Sequence, residues 1–344
     1  MLGIHQRPRA SHAVLSWATL ATLATVAAVS TACSVGPGGA SGSGPVDAGK
    51  YPSDTIEVVV PYEAGGATDQ MVRSLSQPVA EGLGDEPLVV LNQPGGAGTI
   101  GTTRVVAASP DGYTLGFIAG GPLTVQPHYG RTVYSFDDVT PVARVAVAPI
   151  VLAVPADSPW QTVGDMIASV REDPGSFRYA STGAGNPANL AMEKLDAAAA
   201  IETTQVPFES SAEAVTALLG GNVEGAAGSP SGFAASVRSG DLRILANLGS
   251  VKGAEYDSVP TLKESGYDVA TDITSGFIAP KDLPEPYLRE ISNSIRDALE
   301  DPEIRKQIEL TGAVPNFGSP EEYRADIARE YSETGEVLHE AGLI

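Results

Sequence analysis

Residues 54–75, DTIEVVVPYEAGGATDQMVRSL, spell a short strand, a glycine turn and a helix in immediate succession, and this unit limits what the chain can build. The apolar, β-branched stretch 56–60 has the pattern of a buried strand. Pro61 ends it, having no N–H to extend a ladder. Gly65 and Gly66 let the backbone pass close to another group. Thr68 or Asp69 is placed to cap a helix whose apolar positions include Met71, Val72 and Leu75. Such a unit aims unpaired N–H groups and a partial positive charge above the turn, where a carboxylate or phosphate is favoured. An ordinary βα turn has the same spelling.

The grammar recurs further on. Residues 177–180 read as a strand, 181–187 (STGAGNP) as a small-residue loop, and 188–200 as a strong helix former. Asn186 suits the N-cap, with Pro187 at the first helical position. Two such units suggest two α/β lobes, each offering a helix N-terminus to a shared cleft.

The chain begins with a targeting pattern. Arg7 and Arg9 precede an uncharged, Ala-rich run to residue 32, the layout of a signal peptide over residues 1–32. Ser30-Thr31-Ala32-Cys33 resembles a bacterial lipobox, which makes Cys33 an acyl acceptor; cleavage near Ala32 without lipidation, or an uncleaved anchor, fits the same residues. Cys33 is the sole cysteine, so the mature chain has no internal disulfide to form. Residues 33–50 are rich in Gly and Ser and read as a flexible tether from a lipid anchor. The expected location is the extracytoplasmic face of the bacterial cytoplasmic membrane.

Charge narrows the function class. The formal net charge is −21; removing Arg7 and Arg9 with the leader, and no acid, takes it to −23. No basic patch is visible, which argues against nucleic acid as a partner. An anionic ligand must then be held by local dipoles against the overall field. Gly and Pro number 38 and 26, in keeping with many short βα and αβ turns. Alternating strand and helix patterns, with strands at 88–91, 114–118, 150–154 and 242–248, suggest parallel sheets with helices on both faces.

Gly96-Ala97-Gly98-Thr99-Ile100-Gly101 matches G-x-G-x-x-G. Pro94 intervenes after the strand and no strand-end acid follows about 20 residues on, so a second backbone-donor loop, or a plain turn, is the better reading than a dinucleotide site. No cofactor is expected. No His/Asp/Glu cluster has zinc spacing, and neither a G-x-S-x-G elbow nor a Walker lysine is present. His128 and His339 are the only histidines past the leader, and Ser181 and Ser229 have no general base near them in sequence; an enzyme would need a dispersed active site.

Taken in order, Tyr51-Pro52-Ser53, residues 61–69, residues 92–101, Pro110-Asp111-Gly112-Tyr113-Thr114-Leu115 and Tyr179-Ala180-Ser181-Thr182-Gly183 resemble the tripartite tricarboxylate transporter substrate-binding receptors, the Bug family. Val259-Pro260-Thr261-Leu262, Asp301-Pro302-Glu303-Ile304-Arg305 and Ser319-Pro320-Glu321-Glu322-Tyr323 extend the likeness toward residue 331. The resemblance implies a bilobed periplasmic-binding-protein fold of type II, with two α/β lobes joined by two crossover strands. It places lobe one at 51–148 plus 276–344 and lobe two at 149–275. It implies a monomeric, non-enzymatic receptor that captures a di- or tricarboxylate or an aromatic carboxylate and delivers it to membrane permease subunits. A receptor that presents its ligand to a signalling partner would use the same chemistry.

Carried over by position, the ligand-binding residues are Ala64, Gly65, Gly66, Thr68 and Asp69, with Gly96 and Ala97 secondary, and Ser181, Thr182, Gly185 and Asn186 from lobe two. There are departures from the family pattern. Glu63 puts an acid near the anion site, and Glu209 stands where the family commonly has a cation. Asn186-Pro187-Ala188-Asn189 replaces a common Ser-x-x-His. Most departures fall on lobe two, so the ligand class is better defined than the ligand. Arg73 lies one helical turn past the cap and is expected to be solvated.

Overall fold

A computed structural model describes residues 51–182, 186–253, 256–340 and 342–344. The leader, Cys33, the tether and Gly185 lie outside the described residues.

Two mixed sheets organise the chain into two lobes. The first runs β11-β4-β10-β3-β1-β2 and the second β7-β6-β8-β5-β9. In the first, β1 (Ile56–Val60), β2 (Leu88–Asn92) and β3 (Thr114–Ala119) are parallel, each feeding a helix: α1 (Ala67–Gly82), α2 (Thr99–Val106) and the single turn α3 (Gly121–Thr124). The long strand β4 (Val139–Pro149) leaves this sheet, and β5 (Val151–Pro155) opens the second after one residue, Ile150. There the helix α4 (Val163–Glu172) leads to β6 (Arg178–Ser181), α5 (Pro187–Ala199), β7 (Thr204–Pro207), α6 (Ser211–Leu219), β8 (Gly225–Gly228), α7 (Pro230–Ser239) and β9 (Leu242–Asn247). Strand β10 (Asp272–Pro280) carries the chain back to the first sheet, which α8 (Glu285–Ala298), α9 (Pro302–Glu309), β11 (Val314–Gly318) and α10 (Pro320–Glu340) complete.

The all-parallel expectation needs correction. Strands β4, β10 and β11 pair antiparallel in the first sheet, and β5 pairs antiparallel with both β8 and β9 in the second. The reason is the double crossing: a strand that returns from the other lobe enters its sheet from the opposite end. Helices do cover both faces. Ile56, Val58 and Val60 pack with Met71, Val72 and Leu75 of α1 and with Ile291 and Ile295 of α8. Val59 projects to the other face, against Val105 of α2 and Tyr323 and Ile327 of α10. Period-two alternation with both faces covered is what makes a strand read as a continuous apolar run. Lobe two repeats the arrangement, with Ile150, Leu152 and Val154 toward α4 and α5 and Val151 and Ala153 toward α6 and α7. Each such side chain, fully buried, contributes about 1.5–3 kcal/mol.

Candidate functional site

At the carboxyl end of β1 the chain turns through Gly65, whose φ of 84° lies in the left-handed region that glycine tolerates best. The N-cap of α1 is Gly66, with extended backbone and no side-chain cap bond, which corrects the expectation that Thr68 or Asp69 caps the helix. Asp69 instead turns inward. Its side chain is buried; Oδ2 accepts from the Gly65 N–H at 2.8 Å, and Oδ1 accepts from Asn92 Nδ2 at 2.9 Å. Arg73 Nε donates to both oxygens at 2.9 Å, and Arg73 Nη2 reaches Asn92 Oδ1 at 2.9 Å. Burial by itself would raise the Asp69 carboxyl, but the hydrogen bonds from Arg73, Gly65 and Asn92 outweigh it and hold it below the usual range. Arg73, expected to be solvated, is therefore part of the loop's framework, although its side chain remains half exposed.

Two consequences follow for anion binding. The Gly65 N–H is committed to Asp69 and shapes the loop. The N–H groups of Ala67, Thr68 and Asp69 precede the first helical bond, from Gln70 N to Gly66 O, and have no partner one turn back. Ala64, Gly65 and Gly66 are exposed and Thr68 is half-buried.

The second loop is packed directly on the first. Asn92, the last residue of β2, joins it to Asp69 and also donates to Tyr62 O at 3.2 Å. Gly95, Gly96, Ala97 and Gly98 all have positive φ. A Cβ on Gly98 would lie 2.6 Å from Pro122 Cγ, so this glycine serves close packing of the second loop on α3. That is a physical reason for the G-x-G-x-x-G spelling without a dinucleotide. Gly96 and Ala97 are exposed at the tip.

In lobe two, Asn186 caps α5 as the sequence predicts, its Oδ1 accepting from Asn189 N at 2.8 Å while its amide donates to Thr182 O. Ser181 is buried and its Oγ accepts from Gln205 Nε2 at 2.7 Å. Ser181, Thr182 and Asn186 together line a cavity of about 90 Å³. The starts of α6 and α7 join them there through Ser211, Ser229 and Gly232, over a floor of Ile150 and Ile273. None of the residues lining this cavity is titratable. Sequence reasoning missed the contribution of α6 and α7; the signal was present in the N-cap serines Ser210 and Ser229 after β7 and β8.

The predicted residues thus form two groups. The first and second loops are held together by Asp69 and Asn92 on lobe one, and Ser181, Thr182 and Asn186 gather on lobe two. Ala64, Gly65, Gly66, Thr68, Asp69, Gly96 and Ala97 line neither this cavity nor a larger one of about 670 Å³ along the seam of the lobes. Among the described residues no group of three or more His, Cys, Asp or Glu side chains could hold a metal ion.

Comparison with known proteins bears on this geometry. The model of the tripartite tricarboxylate transporter family receptor matches residues 71–343. Protein BugT of Bordetella pertussis is 30% identical over 304 residues, covering 87% of this chain and 92% of BugT. Among solved structures, a TctC solute binding protein from Polaromonas superposes with a TM-score of 0.76 at 28% identity, covering 84% of this chain and 99% of that one. MatC from Rhodopseudomonas palustris, solved with bound malate, superposes with a TM-score of 0.68 at 25% identity, covering 84% of this chain and all (100%) of MatC.

Proposed function

The chain belongs to the tripartite tricarboxylate transporter receptor family, and on that footing we propose that its glycine loops grip one carboxylate of a small organic acid between the lobes. It is a bilobed, extracytoplasmic solute-binding receptor of the Bug type, a family that works with membrane permeases. The proposed grip comes from main-chain donors at Ala64, Gly66, Thr68 and Asp69, with Gly65 shaping the turn and Gly96 and Ala97 alongside. Ser181, Thr182, Gly185 and Asn186 close on the ligand from lobe two.

One observation carries this reading: both lobes present helix N-termini at the carboxyl ends of parallel strands, α1 after β1 in one and α5, α6 and α7 after β6, β7 and β8 in the other. Open α/β sheets bind their ligands there. A single helix N-terminus contributes ~0.3–1 kcal/mol, up to ~2 when partly buried. Micromolar affinity takes about −8 kcal/mol, so several donors must converge. Lobe closure supplies the convergence, with hinges at the two crossings near residues 148–150 and 274–277.

Malate is the natural first probe, since MatC holds it, followed by mono- and tricarboxylates and aromatic acids. At a hundredfold excess over Kd a true ligand stabilises by ~2.7 kcal/mol, visible in a thermal-shift screen. Calorimetry on Gly66→Val then tests the grip. Gly66 has a φ of −72°, and a Cβ would sit 3.4 Å from Glu63 O, so a side chain fits the fold while crowding the donors. A large loss of affinity is expected, against ~1 kcal/mol for Thr68→Ala. Wild-type affinity in Gly66→Val would overturn the backbone-donor model.

Two finer features belong to the same reading. Cys33 is proposed as a lipid anchor, since it is the only cysteine and follows the apolar run directly. Among the described residues no helix is long and apolar enough to cross a membrane. The monomer is proposed to return its ligand unaltered; recovery of a chemically changed ligand by mass spectrometry, in excess of protein, would refute that.

A further inference from the structure

The 670 Å³ cavity runs along the seam, with α10 of lobe one as one wall, α5 of lobe two as the other and the crossing strand β10 between them. Most of its charged groups are engaged, Asp268 with Lys263 and Glu336 with the Ser332 hydroxyl among them. Arg144 pairs with Asp326 and bonds Asn316, Arg329 pairs with Asp326 at 2.8 Å, and Lys194 reaches Glu333 at 2.7 Å. Asp272 and Glu330 have no ion-pair partner among the described residues. Asp272 accepts from the N–H and hydroxyl of Ser250, and Glu330 Oε1 accepts from Thr274 Oγ1 at 2.9 Å.

These two acids are neighbours by construction. Asp272 and Thr274 are two apart on β10 and project from one face. Thr274 holds Glu330, close enough to Asp272 for the charge of one carboxyl to act on the other. Burial, then the negative charge of Asp326 and Asp272, pushes the Glu330 carboxyl up to about 8, while its bond from Thr274 and the Arg329 charge pull the other way. Asp272 is raised too, chiefly by burial, with the Arg329 and Lys194 charges pulling the other way; a cation at this pair takes the place of the proton that Glu330 otherwise keeps at neutral pH.

A second observation is independent of the acids. Thr124 and Thr334 line the same cavity, are 4% and 6% exposed, and make no side-chain hydrogen bond among the described residues. Thr334 lies four residues past Glu330 and Val337 seven, on one face of α10. The Thr124 and Thr334 hydroxyls open onto the cavity and are free to bond a guest. The apolar part of the lining includes Val125, Leu190 and Val337.

We propose that the seam cavity is a second binding site, specific for a small organic cation whose ammonium or amidinium group sits between Asp272 and Glu330 and whose apolar part lies against Val125, Leu190 and Val337. The volume is within the range of small-molecule pockets, about 300–1,000 Å³. The strongly negative protein, at −21 formal charges, raises the local concentration of cations. Because its walls belong to different lobes, the guest sets the spacing of α5 and α10 and is coupled to closure on the carboxylate; the coupling acts equally in both directions.

The test uses the mature protein with putrescine, agmatine and phenethylamine, each against sodium and potassium chloride at matched ionic strength. Thermal shift and calorimetry should show saturable binding of at least one amine beyond the salt control. Glu330→Gln, which keeps the bond from Thr274, and Asp272→Asn should each weaken it tenfold or more. Thr334→Val should weaken it a few-fold while leaving malate binding in the absence of amine unchanged. A response no larger than that of the salts, or undiminished amine binding in both Glu330→Gln and Asp272→Asn, overturns the proposal.

Discussion

Replacing Asp69 by Asn is the most informative single change to the first glycine loop. The substitution keeps shape and volume and removes one acceptor. The native carboxylate serves Gly65 N, Asn92 Nδ2 and Arg73 Nε with two oxygens, while an amide offers one oxygen and turns an NH₂ toward a donor. Asn92 cannot flip to compensate, because its own oxygen takes Arg73 and its nitrogen takes Tyr62 O. Hydrogen bonds to a charged group are worth ~1.5–3 kcal/mol each, and one is lost outright. The ion pair adds at most ~1 kcal/mol, since the Arg73 side chain is 50% exposed. The expected cost is therefore about 2–3 kcal/mol of stability at pH 7, read by urea denaturation. It should fall with pH: the folded-state carboxyl is held below its unfolded value, so its contribution is present above the unfolded pKa, near 3.9, and fades as pH drops through the folded one. The two proteins should converge in stability at the acid end. Affinity for the carboxylate ligand should drop about tenfold, because the Gly65 turn loses its tie. A cost under ~0.5 kcal/mol, or a difference that does not shrink with acid, would refute this account.

Glu330 has the opposite linkage. Its folded pKa, about 8, lies above the unfolded value, near 4.3, so the folded state keeps its proton to about pH 8; the contribution is full below pH ~4.3 and is lost as pH rises from there through 8. With partial solvent exposure discounted, the decline is on the order of 2 kcal/mol, and it should be absent from Glu330→Gln in denaturation at several pH values. Small-angle scattering should show compaction on adding a confirmed carboxylate; an unchanged radius of gyration would argue against hinge closure. Cys33→Ala should leave the fold intact and move the processed protein from the membrane to the soluble fraction; retention in membranes after leader cleavage would exclude lipid anchoring.

Much of the site's local structure was legible in the residues themselves. Residues 56–60 form β1 because a β-branched run has few alternatives, and Asn186-Pro187 starts α5 because cap chemistry acts over three or four residues. The glycine loops were legible for the same reason: positive φ and close approach are local demands that glycine meets. What only the tertiary structure decided depends on partners far apart in sequence. The antiparallel pairing of β10 with β3 and β4 joins segments separated by more than a hundred residues, and period-two alternation is the same for either direction. Asp69 has the spelling of a cap, yet it is drawn inward by Asn92, 23 residues away, and by the Gly65 turn. The acids of the seam are separated in the chain by α8, α9 and β11, so no spacing in the sequence brings Glu330 near Asp272. Their adjacency comes from α10 folding back across the crossing strand, where burial gives each carboxyl a neighbour it would never meet in the unfolded chain.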